Sequence, residues 1–252
     1  MSTSISLLII GDEILSGKRQ DKHFARVREI LAERGLHLAQ VSVLGDDRAR
    51  LTTFLRTSFA GDDIVFSCGG IGATPDDHTR QAAAAALGAP LVLHPEAEAL
   101  ISARSREVGL PVTPGRLEMG EFPAGASIIP NPVNRIPGFS VGRHHFVPGF
   151  PEMAWPMIEW VLDTRYRDRF HGHDEVERAF IVRGLAEATL TPLMLEIERD
   201  HPGIKVFSLP ILNPVQPDDY KIELGVKGPV ATVDAAFARL RAGTLDLAGR
   251  IE

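Results

Sequence analysis

The chain has 252 residues, 44% of them hydrophobic and 24% charged, with a formal net charge of −6. That is an ordinary globular composition, and its negative balance gives no general pull toward nucleic acid or an anionic membrane. Cys68 is the single cysteine, which excludes an intrachain disulfide and fits a reducing compartment. No apolar run approaches the ~20 residues of a membrane span. The run Ile5–Ile10 is too brief for a signal-peptide core and leads at once into Gly-Asp-Glu. A cytoplasmic protein is the expectation, with no membrane partner.

Short apolar runs alternate with amphipathic ones through the first half. Strands are predicted over residues 5–10, 38–44, 64–67 and 91–93. Helices are predicted over 21–34, closed by Gly35, over 48–59, over 75–87, closed by Gly88, and from Pro95 onward. This rhythm predicts an α/β domain with a mostly parallel sheet. The near-continuous apolar strands predict that both sheet faces are covered. Residues 109–151 are rich in Gly and Pro, and Gly142-Arg143 is expected to turn a hairpin between 139–141 and 144–147. A helix follows over 152–163, with Pro156 near its first turn, where proline is tolerated.

The charged stretch 164–175 marks a boundary between a first domain over residues 1–168 and a smaller α+β domain over 175–252. Strands over 176–182, 204–209 and 220–227 and helices over 186–200 and 230–242 give a βαββα order with a KH-like look. Its turn Gly184-Leu185-Ala186-Glu187 lacks a second glycine and is acidic, so nucleic acid is not an expected partner. An architectural or dimerising role is, which makes a homo-oligomer the expected assembly.

The chemistry concentrates in Cys68-Gly69-Gly70-Ile71-Gly72-Ala73-Thr74-Pro75-Asp76-Asp77-His78-Thr79. A strand runs in and a helix runs out. That is the geometry in which backbone N–H groups and a helix dipole cradle an anion. Gly69, Gly70 and Gly72 let backbone approach a ligand. Two carboxylates, Asp76 and Asp77, stand where the anion would dock. Two further strand-to-helix turns are also acidic: Gly11-Asp12-Glu13 and Gly45-Asp46-Asp47. In a parallel sheet such turns share the carboxyl edge of the strands, where ligands bind.

Each acid has a plainer reading. Acids at helix N-termini gain about 0.3–1 kcal/mol from the dipole alone. Asp46 reads as an N-cap for the helix at Arg48, and Thr74-Pro75-Asp76-Asp77 reads as a capping box with Pro75 at the first position. Three such turns in a row favour a shared site. A divalent cation such as Mg²⁺ reconciles carboxylates with phosphate, usually through one or two carboxylates. Alternatively the carboxylates accept hydrogen bonds from a ligand's ring or ribose. Arg80 either adds positive charge to this site or faces solvent.

Other residues carry less. Gly70-x-Gly72 lacks the third glycine of a dinucleotide fingerprint, and there is no phosphate-loop lysine motif or Gly-x-Ser-x-Gly elbow. Cys68, with no identifiable base, reads as a small buried hydrophobe. His144 and His145 alternate faces in a strand and do not share a metal. His171-x-His173-Asp174 has chelating spacing but sits in a charged, solvated stretch.

The pattern from Gly69 to Thr79 resembles the signature of the MoaB/MogA-like molybdopterin-binding domain. The closer resemblance is to the N-terminal region of CinA, the competence/damage-inducible protein A family. Gly11-Asp12-Glu13-Ile14-Leu15-Ser16-Gly17, Gly45-Asp46-Asp47, Pro130-Asn131-Pro132 with Pro137-Gly138, and Pro148-Gly149-Phe150-Pro151-Glu152-Met153 extend it along most of the chain. CinA's C-terminal deamidase domain has no counterpart in this sequence. The resemblance implies a three-layer α/β/α fold and a small phosphorylated ligand, molybdopterin or a nucleotide. It implies roles in catalysis or in holding Mg²⁺ for Asp46 and for Asp76 or Asp77, with Asp77 favoured because it stands directly before x-Thr. It implies ligand contacts from Gly11, Asp12, Glu13, Gly69, Gly70, Gly72, Thr74 and Thr79. The activities implied are metal-dependent ADP-ribose pyrophosphatase, a non-catalytic molybdopterin carrier or sensor, or molybdopterin adenylyltransferase. Ala73 stands where the family often has Pro, and His23 where it often has Asn, which bears on substrate preference.

Overall fold

The computed structural model describes residues 4–172, 175–211 and 221–252. The chain divides into two compact units, Met1–Phe170 and His171–Glu252. The first contains β1 (Ile5–Ile10), α1 (Asp12–Leu15), α2 (His23–Ala32), β2 (Leu38–Leu44), α3 (Arg48–Phe59), β3 (Ile64–Cys68), α4 (Thr79–Leu87), β4 (Leu91–Leu93), α5 (Pro95–Glu107), α6 (Pro114–Leu117), β5 (Glu121–Pro123), β6 (Ser127–Ile129), β7 (Gly138–Val141), β8 (His144–Val147) and α7 (Pro151–Arg165).

Six strands form one sheet in the order β2-β1-β3-β8-β7-β6. β1 pairs in parallel with β2 and β3, and β3 with β8; β7 is antiparallel to β8 and to β6. Every residue of β1 and β3 is buried, because apolar side chains point alternately to two covered faces. Ile5, Leu7 and Ile9 join Val27, Ile30 and Leu31 of α2 and Met157, Ile158 and Val161 of α7 in one core. Leu8 and Ile10 join Leu51 and Leu55 of α3, Ala82 and Ala83 of α4, and Phe122, Phe139 and Phe146 in the other. The result is the expected three-layer α/β/α arrangement. It brings the carboxyl ends of β1, β2, β3 and β8 to one edge.

Two local expectations need correction. α7 begins at Pro151, so Pro156 lies inside the helix and not in its first turn. Its missing N–H forfeits one ladder bond, while Ala154, Met157, Ile158 and Val161 around it are fully buried. α4 begins at Thr79, four residues after the expected start, for a reason that belongs to the site below.

His144 and His145 do face opposite ways and both are buried. His144 Nε2 lies 2.7 Å from Ser58 Oγ; His145 bridges Ser140 Oγ at 2.8 Å and the Tyr166 hydroxyl at 2.7 Å. Burial pushes His144 down to about 4, partly offset by Asp63. Burial, then Arg165 and His144, push His145 down to about 3. An unfolded imidazole titrates near ~6.5, so between these limits the unfolded chain binds more protons. This contribution to stability is fully present above about pH 6.5 and is lost as pH falls toward about 3–4. The urea midpoint is expected to drop between about pH 7 and about pH 4.5, with both imidazoles neutral by NMR at about pH 5. Charged imidazoles at that pH in the folded protein contradict the assignment.

The second unit contains β9 (Glu175–Arg183), α8 (Glu187–Asp200), β10 (Lys205–Ile211), β11 (Lys221–Pro229), α9 (Val230–Asp246) and β12 (Arg250–Ile251). Its antiparallel sheet has the order β10-β11-β9-β12. Phe180, Val182, Ile222, Leu224 and Val226 pack on Leu190, Leu193 and Ile197 of α8 and Val233, Ala236 and Leu240 of α9. The two-residue β12 closes the unit on β9. The order is therefore βαββαβ, the split βαβ arrangement, where a KH-like βαββα was expected. Tyr220, the expected start of the last long strand, lies outside the described residues, as do His173 and Asp174. Among the described residues, no helix is long and apolar enough to cross a membrane.

Candidate functional site

A cavity of about 380 Å³ opens at the carboxyl edge of the parallel strands. Gly11, Glu13, Asp46, Gly69, Gly70, Gly72, Thr74, Asp76 and Asp77 all line it. An adjoining cleft shares Asp46 and Asp76 and adds Asp12 and Asp47. The three acidic turns thus meet at one edge.

The first two turns lock onto each other. Asp12 N donates to Asp46 Oδ2 at 2.8 Å, and Asp46 N donates to Asp12 Oδ1 at 3.2 Å. Asp46 is therefore not the N-cap of α3; Asp47 is, its Oδ1 accepting from Arg50 N at 2.7 Å. Burial raises the Asp46 carboxyl above the usual carboxylate range. The Asp12 N–H opposes this, and the charges of Asp12, Glu13 and Asp76 add to it.

In the third turn, Asp77 Oδ2 accepts from Thr74 N at 2.8 Å and Thr74 Oγ1 at 2.5 Å, while Asp77 N donates to Thr74 O at 2.9 Å. These are capping-box partners, but they close an isolated turn and do not start a helix. The chain then breaks, and Thr79 N donates to Gly70 O at 3.0 Å. Thr79 is fully buried, its hydroxyl donating to Gly69 O at 3.0 Å. It shapes the loop and does not line the cavity. Ile71 anchors the loop in the core.

Arg80 does not face solvent. It is 2% exposed and donates Nη2 to Gly72 O at 2.7 Å and Nη1 to the carbonyls of Glu118 and Glu121. Burial lowers its pKa, against the pull of Glu121, Asp77 and Glu118. Cys68 is buried in the core, and burial, then Asp21, push its thiol up.

The lining also includes Met119, Asn134 and Ile136, which the residue patterns did not single out, with Phe150 and Met153 of the motif that opens at Pro148. Pro137 and Pro148-Gly149 flagged these loops as turns, but no periodic signal marks an apolar residue in a loop. Phe150, just before α7, is 57% exposed.

Among the described residues, no group of three His, Cys, Asp or Glu side chains is placed to hold a metal ion. The expectation that Asp46, Asp76 and Asp77 form a ligand set is corrected in that respect. Asp77 Oδ2 is held by Thr74, and Asp46 Oδ2 accepts the Asp12 N–H, which among the described residues leaves Asp46 one oxygen without a protein donor. The lining offers carboxylates that can accept hydrogen bonds, apolar side chains that can cover a ring face, and loop amides without protein acceptors. Among the described residues, the N–H groups of Gly70, Ile71, Gly72 and Ala73 meet no protein acceptor.

An α/β/α unit with this glycine-lined, acid-rimmed edge is the build of a molybdopterin-binding domain. Residues 6–168 match the family model described as "Probable molybdopterin binding domain", and the chain belongs to that family. A protein of Pyrobaculum calidifontis is 30% identical over 243 residues, 93% of each chain. The CinA-like protein of Geobacter metallireducens is 34% identical over 206 residues, 80% of this chain and 50% of its own length. This chain thus spans about half the length of that CinA-like relative. The crystal structure of CinA from Thermoplasma acidophilum is 28% identical and superposes with a TM-score of 0.57, covering 64% of this chain and 98% of that one.

Proposed function

We propose that the first unit binds a small phosphorylated pterin or nucleotide in the cavity above β1, β3 and β8. The observation that carries this reading is the row of acceptor-free N–H groups from Gly70 to Ala73 on one cavity wall. A phosphate satisfies several such donors at once, through charge-assisted bonds. Asp46 and Glu13 take donors on the ring or ribose. Ile136, Phe150 and Met153 cover a ring face. Titration calorimetry with molybdopterin and with ADP-ribose is expected to give saturable binding of at least one. No binding of either at millimolar ligand overturns the reading.

One observation favours catalysis as a second reading. Asp46, Asp12, Glu13 and Asp76 gather at one edge, and burial first, then the charges of the other three, raise the Asp46 carboxyl. A magnesium ion held by Asp46 and Asp76 with ligand phosphate would supply polarisation of a diphosphate bond. Asp46 would take the proton of a water whose oxygen bonds to the AMP phosphorus, while the P–O–P bridge breaks and the second phosphate leaves with the ribose, held by the glycine loop. ADP-ribose with magnesium is expected to release AMP, and Asp46→Asn to slow release by about 100-fold or more. No AMP from concentrated protein across several divalent metals leaves binding alone.

A further inference from the structure

Three carbonyls of the glycine-rich loop are drawn to one side by two adjacent residues. Thr79 Oγ1 takes Gly69 O and Thr79 N takes Gly70 O, each at 3.0 Å; Arg80 Nη2 takes Gly72 O at 2.7 Å. In a trans peptide the C=O and the following N–H point in opposite directions. Pulling the carbonyls of Gly69, Gly70 and Gly72 inward therefore turns the N–H groups of Gly70, Ile71 and Ala73 outward. These are cavity-lining residues whose amides meet no acceptor among the described residues.

We infer that Thr79 and Arg80 are the positioning residues of the anion seat. They orient three amides for a phosphate or diphosphate group and touch no ligand themselves. The inference rests on the binding reading above. Arg80 adds an electrostatic part. Its guanidinium is buried, its Nε has no partner, and among the described residues no carboxylate lies within ion-pair distance. A cation behind the loop favours an anion in front of it, where the intervening medium screens weakly.

The test uses the full ¹⁵N-labelled chain and inorganic diphosphate as probe. In the wild type the amides of Gly70, Ile71 and Ala73 are expected to shift on titration. Thr79→Val removes the hydroxyl but keeps the Thr79 N–H, so the Gly70 response shrinks while the Ile71 response stays. Thr79→Ser restores it. Arg80→Met removes the Ala73 response, and Arg80→Lys restores part of it. Affinity for diphosphate falls about tenfold for each donor lost, the size of one charge-assisted bond. Should Arg80→Met fail to fold, the threonine pair and Arg80→Lys carry the test. Folded variants whose three amides respond like the wild type overturn the orienting role. A wild type in which no loop amide responds to diphosphate or to ADP-ribose overturns the binding reading itself.

Discussion

Gly69→Ala is expected to cost about 2–5 kcal/mol of stability and to abolish ligand binding, read as a fall in urea midpoint and a flat calorimetric titration. Gly69 has φ +113°, a conformation that an L side chain occupies only under strain. A Cβ there would run into the carbonyl oxygen of Ile10. That oxygen belongs to the backbone of a central strand and cannot swing aside as a side chain does. The loop must move instead, and the amides beyond it move too. Gly70, at φ +66°, faces the same exclusion from the Thr79 hydroxyl. A Gly69→Ala protein with wild-type midpoint and affinity would refute this account of the turn.

Phe139→Ala is expected to destabilise the first unit by about 3–5 kcal/mol. Phe139 lies between Phe122, at 4.7 Å between centroids, and Phe146, at 4.5 Å, in an offset run of stacked rings. All three are at most 1% exposed. Removing the central ring opens a void that its neighbours cannot fill without leaving their own contacts. At roughly 2–4 °C per kcal/mol for a unit of this size, the thermal midpoint drops by about 10 °C. A shift under about 2 °C would show that this core repacks freely.

The parallel sheet was legible because buried strands write themselves as apolar runs. β2, α3 and β4 begin and end where the residue pattern put them. The glycine loop and its acidic neighbours were legible as types. Their bonding was not. Thr74 and Asp77 carry the donors and acceptors of a helix start, and the same groups serve an isolated turn just as well. What decides is Thr79 N finding Gly70 O, a contact across the loop that local sequence does not encode. Arg80 is a sharper case. Its partners at Glu118 and Glu121 lie 38 and 41 residues away, so its position in a helix says nothing of its burial. β12 is too short to show a period, and Asn134, Ile136 and Phe150 of the cavity lining lie in loops that have none.

The strand order has a consequence for how the cavity comes into being. β3 pairs with β8, so the chain makes α4, β4, α5, α6 and three further strands before the last parallel neighbour arrives. The lining reaches from Ile10 to Met153. Such distant pairing forms slowly, because loop closure must precede the contacts that reward it. A nascent chain that stops before Pro148 holds the glycine loop with one flank open to water. The cavity is thus a late product of folding, finished only when nearly the whole first unit has left the ribosome.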